Sequence, residues 1–190
     1  FRSLRAQLRQ VARLIKARDA RKAERDIFFV QLGGFDTHSD VGTVLEERFA
    51  QIDAALATFE AEMKAQGRWE DVTVVSMSEF GRTITSNGAG TDHGWGGNHF
   101  VMGGSVKGGQ IFGTYPHDLS DDGEQSTGRG RIIPTTPWEG VWKPIAQWFG
   151  VEEGEPLGRV LPNLALFGAE HTISREQMFV PDRSEEHTSE

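Results

Sequence analysis

Cysteine is absent from the 190 residues, which excludes disulfides, thiolate nucleophiles and Cys-ligated zinc or iron–sulfur centres. Any metal must therefore sit on His, Asp, Glu and water. No apolar run approaches the ~20 residues of a membrane-spanning helix, so no membrane span is expected. Basic charge is scarce beyond the first segment. Residues 1–26 carry nine Lys/Arg against three Asp/Glu, whereas the other 164 hold eleven against twenty-five. An acidic body of this kind lacks the basic face that nucleic acid requires. Also missing are a G-x-x-x-x-G-K-[ST] loop, a G-x-G-x-x-G turn between strand and helix, and a G-x-S-x-G elbow, so nothing marks a nucleotide site or a serine hydrolase.

What is present suits a folded domain. Hydrophobic residues at 37% and charged residues at 25% lie outside the disordered range. The chain opens at Phe1 without an initiator Met, already inside a helical pattern. It closes on Arg183–Glu190, RSEEHTSE, which is the translation of AGATCGGAAGAGCACACGTCTGAA, the start of a common sequencing adapter. Residues 1–182 are thus expected to form part of one domain, and residues 183–190 a disordered tail outside functional reasoning.

Leu4, Leu8, Val11 and Ile15 recur at helical spacing over about residues 2–18, with arginines on the other faces, which are most simply solvated. Ile27–Leu32 is a short apolar run of the sort buried on both faces of a parallel sheet. Leu45, Phe49, Ile52, Leu56, Phe59 and Met63 define a long helix over residues 44–66, closed by Gly67. Val72–Met77 is a second apolar run. Strand, helix, strand predicts a βαβ unit with parallel strands and a right-handed crossover. The fold class expected is therefore α/β, with a mostly parallel sheet flanked by helices. Residues 81–113 hold eleven of the 23 glycines. Trp138–Phe149 forms a closing helix that Pro144 can kink, and the remainder is irregular, with at most a short strand near Leu164–Phe167.

Ligands of parallel α/β sheets bind beyond the carboxyl ends of the strands. Three segments fall there: Gly33–Asp40 (GGFDTHSD), Ser78–Thr83 (SEFGRT) and Gly90–His99 (GTDHGWGGNH). Their carboxylates and imidazoles form the mixed O/N set that divalent metals favour. Each piece also has an ordinary structural role open to it. Asp36 or Ser39 can cap the next helix, Glu79 can pair with Arg82, and Asp92-His93 can form a turn.

The order GGFDTHSD, long helix, VTVVSMSEFGRT, GTDHGWGG and FVMGGSVKGGQIFG resembles the family known as domain of unknown function 1501, within the alkaline phosphatase–sulfatase–phosphoglycerate mutase clan. The resemblance spans roughly residues 1–180. It implies an alkaline-phosphatase-like partial domain and a metal-dependent hydrolase acting on a small anionic ester, phosphate or sulfate. It implies a divalent metal (zinc, manganese or calcium) on Asp36, His38, Glu79, Asp92 and His93, with Arg82 as an anion contact. Phe80 stands where the clan has a His ligand, and the D-x-H spacing of Asp36 and His38 is shorter than the clan's. His99 and His117 are not assigned as ligands, and His171 is expected at the surface. The resemblance places the catalytic nucleophile upstream of residue 1, makes the missing N-terminal part of the same chain a partner, and implies a periplasmic or extracellular location. The competing expectation is an exported binding or structural protein that keeps the fold without the chemistry.

Overall fold

A computed structural model describes residues 2–181; the adapter-like segment 183–190 lies outside the described residues. Helix α1 (Leu4–Lys16) starts where the Ser3 hydroxyl accepts from the Ala6 amide, and α2 (Arg18–Arg21) continues it by one turn. Leu4, Leu8 and Ala12, each four residues apart, form its buried face. Helix α3 (Val41–Ala65) presents Ala55, Phe59 and Met63 to that face. Trp69 completes the cluster, with Val30, Leu32, Val72, Val74 and Met102 packed around it. Gly67 ends α3 with φ +65°. Its amide donates to the Lys64 carbonyl and the Arg68 amide to Met63, the paired bonds of a Schellman stop.

Helices and strands are both present, so the chain is mixed α/β, but the expected parallel sheet is not formed among the described residues. Strand β1 (Thr73–Val75) pairs antiparallel with β4 (Val101–Gly103), and β2 (Gly81–Ser86) pairs antiparallel with β3 (Thr91–Gly94). The run Ile27–Leu32 joins no ladder. Its buried and exposed residues alternate: Phe28, Val30 and Leu32 are half-buried, whereas Ile27 is 85% and Phe29 76% exposed. In place of a neighbouring strand, the Gln7 side chain donates to the Gln31 carbonyl at 2.7 Å and accepts its amide at 2.9 Å. Continuous hydrophobicity predicts burial on both faces, and only one face is covered here.

The glycine-rich stretch of residues 81–113 supplies three of the four strands among the described residues. Leu164–Leu166 is a 3₁₀ turn rather than a strand. Helix α4 (Trp138–Trp148) tolerates Pro144 for a specific reason. Pro144 has no amide to donate to Gly140 four residues back, and the Ile173 amide donates to that carbonyl instead, at 3.2 Å. Gly140 permits the approach, since a Cβ there would lie 2.3 Å from the His171 carbonyl oxygen. Helices α5 (Glu155–Val160) and α6 (Arg175–Met178) follow. Ile145, Ile173, Met178 and Phe179 form a second core beneath α4. No helix among the described residues is long and apolar enough to cross a membrane.

Two substitutions separate core from uncovered face. Met63→Ala, at a fully buried position, is expected to cost about 2–5 kcal/mol. Phe29→Ser is expected to stay within about 0.5 kcal/mol while reducing aggregation, because an unpaired apolar strand is a template for self-association. Chemical denaturation and light scattering check both.

Candidate metal centre

The site begins with a hairpin. Arg82 and His93 are directly opposed in the β2–β3 ladder, so their side chains share one face. Gly81 and Gly94 form the neighbouring pair, and the backbone is too crowded there for side chains. A Cβ on Gly81 would lie 2.2 Å from the Gly96 oxygen, and one on Gly94 2.6 Å from Arg82 backbone atoms. The ladder slips between Arg82 and Ser86. The buried Thr83 hydroxyl compensates there, accepting the Asp92 amide at 3.1 Å and donating to the Thr85 carbonyl at 2.9 Å.

Across from the hairpin runs the segment Gly33–Asp40. Arg82 binds it by donating to the Phe35 carbonyl and, on its own hairpin, to the Thr91 carbonyl at 3.0 Å. Asn87, in the hairpin turn, makes the second tie. Its Oδ1 accepts the Ala89 and Gly90 amides at 3.0 and 2.7 Å. Its Nδ2 donates to the His38 carbonyl at 3.2 Å and to Asp92 Oδ1 at 3.0 Å. Gly90 lets the two segments meet, since a Cβ there would lie 2.7 Å from Val41 Cγ2 and 2.8 Å from the His38 oxygen.

These ties bring Asp36, His38 and His93 together. Asp36 Oδ1 lies 2.7 Å from His93 Nε2 and 3.1 Å from His38 Nε2, and one ligand atom from each of the three lies within 4.8 Å of the others. All three side chains are substantially exposed. Asp92 stands behind them, its Oδ1 3.1 Å from His38 Nδ1. With an N–H at Nδ1 donated to Asp92, the Nε2 lone pair of His38 faces the cluster, the arrangement that orients metal-bound histidines. Phe80 lies flat on His93, ring centroids 4.0 Å apart and planes 1° apart.

The sequence profile of the family described as "Protein of unknown function (DUF1501)" matches residues 3–128. The chain belongs to this family. No curated protein and no solved structure matches it. The DUF1501 match contains every member of the cluster.

Of the residues singled out from sequence, the structure gathers Asp36, His38 and His93, with Asp92 behind them. Glu79 is exposed, lies outside the cluster and makes no ion pair with Arg82 among the described residues. Arg82 spends its donors on the Phe35 and Thr91 carbonyls and on the Thr37 hydroxyl. Asp36 does not cap α3: the residue before that helix is Asp40, at φ 51°, and no side chain caps it. His99 packs on Trp138, ring centroids 4.7 Å apart, His171 lies against Thr135 and Glu170, and His117 is exposed; none belongs to the cluster. Sequence reasoning missed Asn87 and Thr83. The signal for Asn87 was Asn-Gly at 87–88, a strong hairpin-turn dipeptide.

The hydrogen bond from His93, reinforced by the positive potential of both imidazoles, holds the Asp36 carboxyl below the usual carboxylate range. Hydrogen bonds from Asn87 and then His38 do the same for Asp92. A depressed carboxylate stabilises the fold fully above its ordinary pKa, and that stability disappears as pH falls through the lowered value. Asp36→Asn should therefore weaken the acid dependence of unfolding in metal-free protein, as read by denaturation at a series of pH values from neutral to acid. Gly90→Ala should destabilise by about 1–3 kcal/mol through overpacking. Gly33→Ala, with nothing within 4 Å of the added methyl, should stay within about 0.5 kcal/mol. Thermal melts of the two variants test the contrast.

Proposed function

We propose that Asp36, His38 and His93 hold a divalent metal ion, zinc or manganese in preference to calcium, in a hydrolase-like domain acting on a phosphate or sulfate ester. The observation that carries this reading is the convergence of one carboxylate oxygen and two imidazole nitrogens on one open point. Ligands about 2.0–2.2 Å from a tetrahedral ion stand roughly 3.3–3.5 Å apart. The 2.7 and 3.1 Å separations around Asp36 Oδ1 need only small outward movements to reach that spacing. Two nitrogens and one oxygen suit zinc or manganese better than calcium, which takes oxygen ligands. Three protein ligands on an exposed surface leave room for water or substrate, as in catalytic rather than structural sites.

A metal bound here would supply Lewis acidity, polarising an ester oxygen and lowering the pKa of water. The chain's own residues do the rest. Asp36 contributes the single negative charge among the three ligands, Asp92 fixes the His38 tautomer, and Asn87 holds Asp92. Arg82 is committed to the Phe35 and Thr91 carbonyls, so its part is to anchor the ligand-bearing segment rather than to grip substrate. The alkaline-phosphatase-like architecture implied by the resemblance belongs to this proposal. In it, Ile27–Leu32 is a strand whose neighbours come from another part of the protein, which also carries the nucleophile, and the location is periplasmic or extracellular.

One observation favours a second reading. Asp36 Oδ1 already lies against both imidazoles without an ion, 2.7 Å from His93 Nε2 and 3.1 Å from His38 Nε2, so the cluster also suits a polar latch between segment and hairpin in a non-catalytic binding protein.

Titration with zinc and with manganese separates the two. The proposal expects one ion per chain and at least about a tenfold loss of affinity in Asp36→Ala and in His93→Ala; binding indifferent to both variants would establish the latch. Residues 1–190 alone are not expected to turn over aryl phosphate or sulfate esters. Turnover abolished by His38→Ala would put the nucleophile inside these residues and contradict that part of the proposal.

A further inference from the structure

Among the described residues, Phe80 belongs to none of the apolar core clusters, and it is only half-buried. Its ring instead meets two functional groups. One is the His93 imidazole, parallel to within 1° at a centroid distance of 4.0 Å. The other is the Arg82 guanidinium, whose Cζ lies 5.1 Å from the Phe80 centroid. The hairpin explains this placement. Phe80 stands one residue before β2, two before Arg82, and its ring lies on the side of the hairpin that carries Arg82 and His93; Arg82 is the ladder partner of His93. Phe80 and His93 are thus diagonal neighbours, within aromatic reach. Arg82 is itself fixed by the Phe35 and Thr91 carbonyls, so the stack rests on an immobilised base.

We propose that Phe80 is a positioning residue of the metal centre, fixing the plane in which His93 presents Nε2 to the ion. This inference rests on the cation reading of the cluster. An exposed histidine on a short strand turns freely about its side-chain bonds, and each turn removes Nε2 from the point shared with Asp36 and His38. Lying flat on Phe80 confines the ring to one plane and two orientations related by a flip. Of those two, only the observed one puts Nε2 on Asp36, at 2.7 Å. Phe80 sets the plane and Asp36 selects the flip. The phenyl ring at position 80 thus supports a neighbouring ligand instead of supplying one.

The test compares Phe80→Leu, which keeps apolar volume without a flat face, with Phe80→Tyr, which keeps the face. His93→Ala serves as reference. Zinc affinity is read by competition with a chromophoric chelator, and coordination geometry by the visible spectrum of the cobalt(II) form. Removing a group that orients a ligand typically costs about 10- to 100-fold in metal affinity. Phe80→Leu should show a loss in that range and an altered cobalt spectrum, and Phe80→Tyr should restore both. Equal affinity in wild type and Phe80→Leu, or equal losses in Leu and Tyr, would overturn the positioning role while leaving the metal centre intact. Wild-type protein that takes up no zinc would overturn the cation reading and this inference with it. Should Phe80→Leu fail to fold, the metal-free wild type still decides. Its His93 ring protons should resonate upfield under the Phe80 ring current, and unshifted resonances would overturn the stack.

Discussion

Asp36 Oδ1 meets two imidazoles that come from different directions, one from its own segment and one from the hairpin opposite. Such a meeting requires the backbones of two otherwise separate segments to lie unusually close. Gly90 makes that closeness sterically allowable, Gly81 and Gly94 let the backbone within the hairpin close up, and Arg82 and Asn87 tie the segments together. The glycine content of this region is thus a packing requirement. Wherever a methyl group would push hairpin and segment apart, the carboxylate and the imidazoles would no longer share a point.

The same constraint organises the surrounding polar groups. Asn87 uses both amide donations and its carbonyl oxygen, so the turn, the His38 backbone and Asp92 move together. Asp92 aligns His38 from behind, while Phe80 aligns His93 from the side. Each imidazole therefore has a support of its own, one charged and one aromatic. Thr83 patches the ladder where it slips, which keeps the Asp92 amide bonded although the strand register changes.

Much of the helical framework was legible in the sequence, because α1 and α3 bury one face each and the spacing of Leu4 and Leu8, or of Phe59 and Met63, records that face. The stop at Gly67 was legible for a local reason, the left-handed backbone it adopts. Strand pairing was not legible. Ile27–Leu32 and Val72–Met77 read as buried parallel strands, since an apolar run carries no information about which partner covers it. The first is covered on one side only and takes a glutamine side chain in place of a strand. The second pairs antiparallel with Val101–Gly103. Asp36, His38 and His93 could be picked out by residue type, but the separation of Glu79 could not, because one residue's displacement along a loop decides whether a carboxylate reaches a cluster. Phe80 read as a missing ligand, and its stacking on His93 depends on a diagonal contact that no linear pattern displays.

The account rests on an ion bound at the point shared by three side chains. Crystals of the protein grown with zinc, with anomalous diffraction data collected on either side of the zinc absorption edge, address this most directly. The account predicts one anomalous peak about 2.0–2.2 Å from Asp36 Oδ1, His38 Nε2 and His93 Nε2, with Asp92 still on His38 Nδ1. A peak elsewhere, or no peak with the Asp36–His93 hydrogen bond unchanged at saturating zinc, would contradict it.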